Sequence, residues 1–202
     1  MRKALFLIMM ILIALTMMAC DEDGELRIRN RTNSHAWVRV NDADIRQIEG
    51  WTNWSKYYSG DATVNIDYWG NFVFTKSVTR EVYRGLVTTV DILPDGGAIK
   101  LINDGQTTIT EVYISPNAET TWGDDQLAEN LAPNANFLWT LTPGQWDIKV
   151  VDEENTNYYK INQTVVLDQT LDLPITGFGK SAVPGKSNGA ASSDLTWRVE
   201  RK

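Results

Sequence analysis

Beyond residue 20, no segment of ten or more residues keeps an apolar period of 3.6. Short runs of alternating apolar and polar residues recur instead. Such alternation places one face of an extended strand in a core and the other in water, and it cannot form the apolar stripe of a helix. Sheets are what remain. Leu26-Arg27-Ile28-Arg29 alternates apolar and charged, and Ala36, Val38 and Val40 share one face with Trp37 and Arg39 on the other. Thr63–Tyr68, Phe72–Phe74 and Leu86–Leu93 follow, with a turn expected at Trp69-Gly70-Asn71. After the breaker Pro94-Asp95-Gly96-Gly97 the pattern restarts at Ile99–Ile102, then Val112–Ile114, Phe137–Leu141, Trp146–Val151 and Thr164–Leu167. A short helical turn is expected near Gln126-Leu127-Ala128-Glu129.

Many short strands between turn signals predict an all-β fold of two tandem small antiparallel β-sandwich domains, 25–97 and 98–177. Residues 178–202 read as a flexible Gly/Ser-rich tail. Its end, Asp194–Arg201, is either a late strand or a disordered hydrophobic hook. The halves resemble each other. Leu26–Asn30 parallels Ile99–Asn103, Val64–Asp67 parallels Ile148–Val151, and Val90–Pro94 parallels Thr170–Pro174, at offsets of 73, 84 and 80. Two sandwiches of this size also look alike at this level without duplication.

The N-terminus carries a targeting pattern. Met1-Arg2-Lys3 is basic, Ala4–Ala19 is uncharged and rich in Leu, Ile and Met, and Cys20 precedes the acidic Asp21-Glu22-Asp23. These are the parts of a secretion signal. Sixteen apolar residues fall short of the roughly twenty that span a bilayer. Met17-Met18-Ala19-Cys20 resembles the box of the bacterial lipoprotein family, with Ala19 and Cys20 in place and two methionines where Leu and a small residue are usual. The resemblance implies that residues 1–19 are removed, that Cys20 carries diacylglycerol, and that 20–24 form an acidic tether. It also implies an extracytoplasmic, membrane-attached protein of the bacterial envelope, of unknown leaflet. Ordinary signal cleavage, leaving a free thiol, is the alternative.

Charge divides unevenly. Residues 25–97 hold nine basic and nine acidic groups, residues 98–177 three and twelve, and the tail five and two. The acidic second half favours a basic partner or divalent ions, and the neutral first half favours protein or glycan contact. An isoelectric point near 4.7 argues against nucleic acid, which needs a basic patch. One Cys and one His leave no disulfide framework, no Cys-based zinc site and no multi-His metal site.

Residues 113–127 run Tyr-Ile-Ser-Pro-Asn-Ala-Glu-Thr-Thr-Trp-Gly-Asp-Asp-Gln-Leu, and Pro143-Gly144-Gln145-Trp146-Asp147-Ile148 leads into Val150-Val151-Asp152-Glu153-Glu154. Over residues 98–175 this resembles a recurrent bacterial extracytoplasmic β-sandwich repeat, with Gln126 and Asn134 departing from its pattern. The resemblance implies architecture and no shared catalytic activity.

Two constellations are candidate sites. Asp124, Asp125, Asp152, Glu153 and Glu154 supply enough oxygens for calcium, which takes six to eight, though in no established calcium-loop spacing. Solvated turns are the plainer reading. Trp51, Trp54, Tyr57 and Tyr58 form the densest aromatic cluster, with Tyr68 and Trp69 next. Aromatic faces stack on sugar rings, but they also fill cores. If 51–58 is a strand, Trp51 and Trp54 lie on opposite faces. Nothing forms a nucleophile elbow, and His35 has no partner pattern. The expectation is a lipid-anchored, non-enzymatic binding or envelope-structural protein without a cofactor; the alternative is a carbohydrate-binding module.

Overall fold

A computed structural model describes residues 22–180, Lys186 and residues 200–201. The signal, Cys20 and most of the 178–202 tail lie outside the described residues. The first seven strands are β1 (Gly24–Asn30), β2 (Ala36–Val40), β3 (Arg46–Ile48), β4 (Asn53–Tyr58), β5 (Ala62–Gly70), β6 (Val73–Val82) and β7 (Val87–Ile92). The next seven are β8 (Gly97–Ile102), β9 (Ile109–Pro116), β10 (Asn136–Leu141), β11 (Gly144–Asp152), β12 (Asn157–Val165), β13 (Thr170–Pro174) and β14 (Glu200–Arg201).

These strands build four small sheets, paired into two sandwiches. The first pairs β4-β1-β7 with β3-β2-β5-β6; the second pairs β13-β8-β10-β14 with β12-β11-β9. Most neighbours are antiparallel. The exceptions are β1 with β7 and β8 with β13, which run parallel. A parallel pair needs a long crossover; in each half the chain supplies it by passing through the opposite sheet.

Each sandwich has its own core. Leu26, Ile28, Val38, Val40, Val64, Ile66, Val90 and Ile92 fill the first. Ile99, Leu101, Val112, Ile114, Trp139, Leu141, Ile148 and Val150 fill the second. Strand parity accounts for this. In β1 and β2 every second residue is buried, and each fully buried aliphatic side chain contributes about 1.5–3 kcal/mol.

The two halves repeat one plan down to individual bonds. The sequence offset of 73 holds for β1 and β8, whereas the other two offsets shift. Pairing aligns Ile66 with Ile148 through Val40 and Ile114, and aligns Val90 with Leu173 through Ile28 and Leu101. The corrected offsets are therefore 82 and 83. The slip from 84 to 82 is one that apolar alternation, with its period of two, cannot detect without the partner strand. The slip from 80 to 83 comes from matching Leu93-Pro94 to Leu173-Pro174.

Two glycines mark the repeat. A Cβ on Gly24 would lie 2.7 Å from the Tyr83 carbonyl oxygen, and one on Gly97 would lie 2.2 Å from that of Val166. Each glycine opens the central strand of its sheet, where the loop before β7 or β13 crosses it. In those loops Gly85 and Asp168 both take positive φ, 69° and 60°. The N–H of Glu25 then donates to the Leu86 carbonyl, as that of Ala98 does to Gln169.

The sandwiches meet at a defined joint. The hydroxyl of fully buried Thr140 bonds the carbonyl oxygens of Gly70 (3.4 Å) and Asn71 (3.1 Å). Asn33 N–H donates to the Asp168 carboxylate at 2.8 Å. Buried Phe74 lies close to Gly96, the residue before β8.

Three local expectations change. Gln126–Glu129 is not helical; the described residues contain one 3₁₀ turn, Ile175–Gly177. The Asp125 carboxylate takes the N–H groups of Leu127 and Val112, which holds this loop extended against β9. The turn after β5 is Asn71-Phe72 and not Trp69-Gly70-Asn71, because β5 continues through Gly70. Strand β12 begins at Asn157, well before Thr164, since Tyr158–Lys160 are partly covered on both sides and show no alternation.

Candidate binding surface

The outer face of sheet β3-β2-β5-β6 carries an aromatic shelf. In β2, Ala36, Val38 and Val40 enter the core, so His35, Trp37 and Arg39 must point outward. In β5 the same parity sends Asp67 and Trp69 outward. Register places Trp37 directly opposite Trp69 and Arg39 opposite Asp67. The two indoles lie within 17° of parallel, with centroids 6.5 Å apart. His35 meets Trp37 edge-on at 4.4 Å. All three aromatic side chains are half-buried.

Polar groups surround the shelf. Gln47 on β3 is the cross-strand neighbour of Trp37, and its amide donates to Glu49 at 2.7 Å. Arg39 bonds the Asp67 carboxylate at 2.9 Å, and the Ser77 hydroxyl donates to its other oxygen at 2.5 Å. Those two donors, Ser77 first and then Arg39, hold the Asp67 carboxyl below its ordinary range. Thr79 donates to Asn65 one step further along the strands. The arrangement is an apolar strip two strands wide, bordered by fixed donors and acceptors.

The equivalent face of the second sandwich is covered. There the repeat places Tyr113 and Lys149 where Arg39 and Asp67 stand, and the Lys149 ammonium lies 4.7 Å from the Tyr113 ring centroid. Asp147, Lys149 and Val151 point outward yet are buried, at 3%, 6% and 7% exposure. Burial, reinforced by the bond that its hydroxyl donates to Glu111, pushes the Tyr113 phenol up to about 12.

The four aromatics singled out from sequence do not form one platform. Trp51 is 60% exposed, takes a φ of 59°, and donates its indole N–H to Asn33 at the joint. Trp54 and Tyr58 share the inward face of β4. Trp54 lines a cavity of about 210 Å³ with Val38, Val40, Arg46 and Lys56. Tyr58 packs on the core, its buried hydroxyl has no hydrogen-bond partner among the described residues, and burial raises its phenol. Tyr57, 63% exposed, points to the opposite face.

The five acids also fail to converge. Asp125 is occupied by Val112 and Leu127, and Glu153 accepts the Thr108 N–H. Asp152, 2% exposed, accepts from the N–H groups of Glu154 and Thr156 and from the hydroxyls of Tyr158 and Thr107. Asp124 sits in the loop before β10, with its carbonyl bonded by Gln126, and Glu154 is exposed at the β11–β12 turn. Among the described residues no three His, Cys, Asp or Glu side chains gather as a metal site. Asp125, Asp152 and Glu153 shape turns, because backbone N–H groups already bond their carboxylates.

Sequence reading missed the Trp37–Trp69 pair. Each residue is visible as an outward aromatic beside an alternating strand, but their contact spans two strands remote in the chain.

No family model matches the chain, and no curated protein matches it. Among solved structures it is similar to the Bacillus anthracis TIE protein at 10% identity, covering 76% of this chain and 33% of that one, with a TM-score of 0.29. The chain thus spans about a third of that structure, and a likeness this shallow carries no argument. No helix among the described residues is long and apolar enough to cross a membrane.

Proposed function

We propose that this chain is a lipid-anchored, extracytoplasmic binding protein without enzymatic activity, and that the Trp37–Trp69 shelf is its ligand surface. The ligand class is carbohydrate. A pyranose ring presents a face of C–H groups that packs against an aromatic plane, while its hydroxyls need nearby donors and acceptors. Near-parallel indoles bordered by Gln47, Arg39, Asp67 and Ser77 offer both. The observation that carries the reading is the near-parallel Trp37–Trp69 pair on an outer sheet face, bordered by fixed donors and acceptors. The anchor rests on Arg2-Lys3, the apolar run and Cys20.

A glycan array probed with residues 21–202, followed by calorimetry on the hits, tests the reading. Binding should fall at least tenfold in Trp37→Ala and in Trp69→Ala and persist in Tyr57→Ala. Silence across the array, or binding indifferent to both tryptophans, rejects it.

A further inference from the structure

The covered face of the second sandwich contains a buried ion pair that reaches from the C-terminal segment into the sheet. Asp147 points outward from β11 and would face water on an open sheet. Instead the Lys186 ammonium bonds its carboxylate at 2.7 Å, with side chains only 2% and 5% exposed. The same ammonium donates to the Pro116 carbonyl at 3.2 Å and lies 4.8 Å from the Trp122 ring centroid.

Each wall of this slot is held by the sandwich itself. Asp147 accepts the N–H of Asn162, which takes a φ of 54° beside the bulge in β11. Pro116 ends β9 in register with Trp146. Trp122, 3% exposed, leans on Tyr159 at 5.9 Å. A carboxylate, a carbonyl and an aromatic face together match a primary ammonium, which has three donors on a compact charge. They match a planar guanidinium poorly.

We propose that Asp147, Trp122 and the Pro116 carbonyl form a preformed lysine slot, and that Lys186 seated in it latches the chain to sheet β12-β11-β9 at that residue. A carboxylate this deeply buried is costly without a cation, so the slot demands an occupant. Swapping a buried pair for apolar groups is often neutral, whereas removing one partner is strongly destabilising. The pair therefore specifies where the segment docks.

Competitive acylation of lysines on the intact protein, read by peptide mass spectrometry, tests the latch without any substitution. Lys186 should label at least tenfold more slowly than the exposed Lys180, and Asp147→Asn should remove that protection. The slot is tested with n-butylammonium as the probe. Lys186→Ala should show saturable shifts of the Trp122 indole resonance at millimolar amine, absent in the wild-type chain and in Lys186→Ala/Asp147→Asn. Lys186 labelling as fast as Lys180 overturns the latch. A folded Lys186→Ala that ignores the amine overturns the slot. Neither readout depends on a glycan ligand, so failure here is distinct from failure of the shelf.

Discussion

Asn30 and Asn103, 73 positions apart, make the same pair of bonds in the two sandwiches. Each side-chain amide donates to the carbonyl four residues ahead, Ser34 or Thr107, and to the carbonyl of an incoming segment, Ile48 or Leu131. Each side-chain oxygen accepts an N–H two residues on, from Thr32 or Gly105. Both residues are buried, at 0% and 1% exposure.

Replacing either asparagine by Ala removes two bonds to carbonyls and one from an N–H at a buried position. Asn30→Ala and Asn103→Ala should each destabilise by about 2–4 kcal/mol, from about 0.5–1.5 kcal/mol for each of the three hydrogen bonds lost. Urea titration monitored by near-ultraviolet dichroism gives the number. A loss below about 0.5 kcal/mol in both would show that the repeated network is incidental.

Gly97→Ala should cost more than Gly24→Ala. Its Cβ meets backbone oxygen at 2.2 Å against 2.7 Å, and in both cases the obstructing atom belongs to main chain that cannot rotate away. Overpacking typically costs about 1–3 kcal/mol, and Gly97→Ala should fall at the upper end. Gly60→Ala, with open space around its Cβ, is the control and should change the melting temperature little.

Acid should loosen the second sandwich through Asp152. Burial by itself raises this carboxyl, but bonds from the Thr156 N–H, the Tyr158 hydroxyl, the Glu154 N–H and the Thr107 hydroxyl outweigh it and hold the group below its ordinary range. A folded-state value below the unfolded one means that stability is present above the unfolded carboxylate range, and is lost as pH falls toward and through the depressed folded value. Asp152→Asn should flatten the acid limb of a stability–pH profile and cost about 1–3 kcal/mol at neutral pH. An unchanged acid limb would assign acid sensitivity to other groups.

Cys20→Ser should move the protein from the membrane to the soluble fraction of the expressing bacterium. Stable attachment needs more than one acyl chain, which a lipid-modified cysteine supplies. Retention in salt-washed membranes would exclude the cysteine as the anchor.

Fold class was legible because alternation in β1, β2, β5 and β8 writes the core parity into the sequence. Register was not legible. The offset of 84 slipped to 82, since period-two patterns align equally well two residues away. The aromatic shelf was half-legible: parity turned Trp37 outward, but only the β2–β5 pairing sets it against Trp69. Local density instead favoured Trp51–Tyr58, where a positive φ at Trp51 and the inward face of β4 separate the rings. The acids misled for a related reason. Composition records that Asp125 and Asp152 are close to other carboxylates, while backbone N–H groups, which are silent in a sequence, had already claimed them.

The placement of β1 has a mechanical consequence. It is the middle strand of its sheet, with six register pairs to antiparallel β4 on one side and six to parallel β7 on the other. A pull on the chain upstream of Gly24 enters along the axis of that strand. Both ladders are then loaded in shear, all bonds together, and neither can be unzipped one bond at a time. Under tension applied through the chain before Gly24, the first sandwich would resist as a clamped strand before any of its loops came under load.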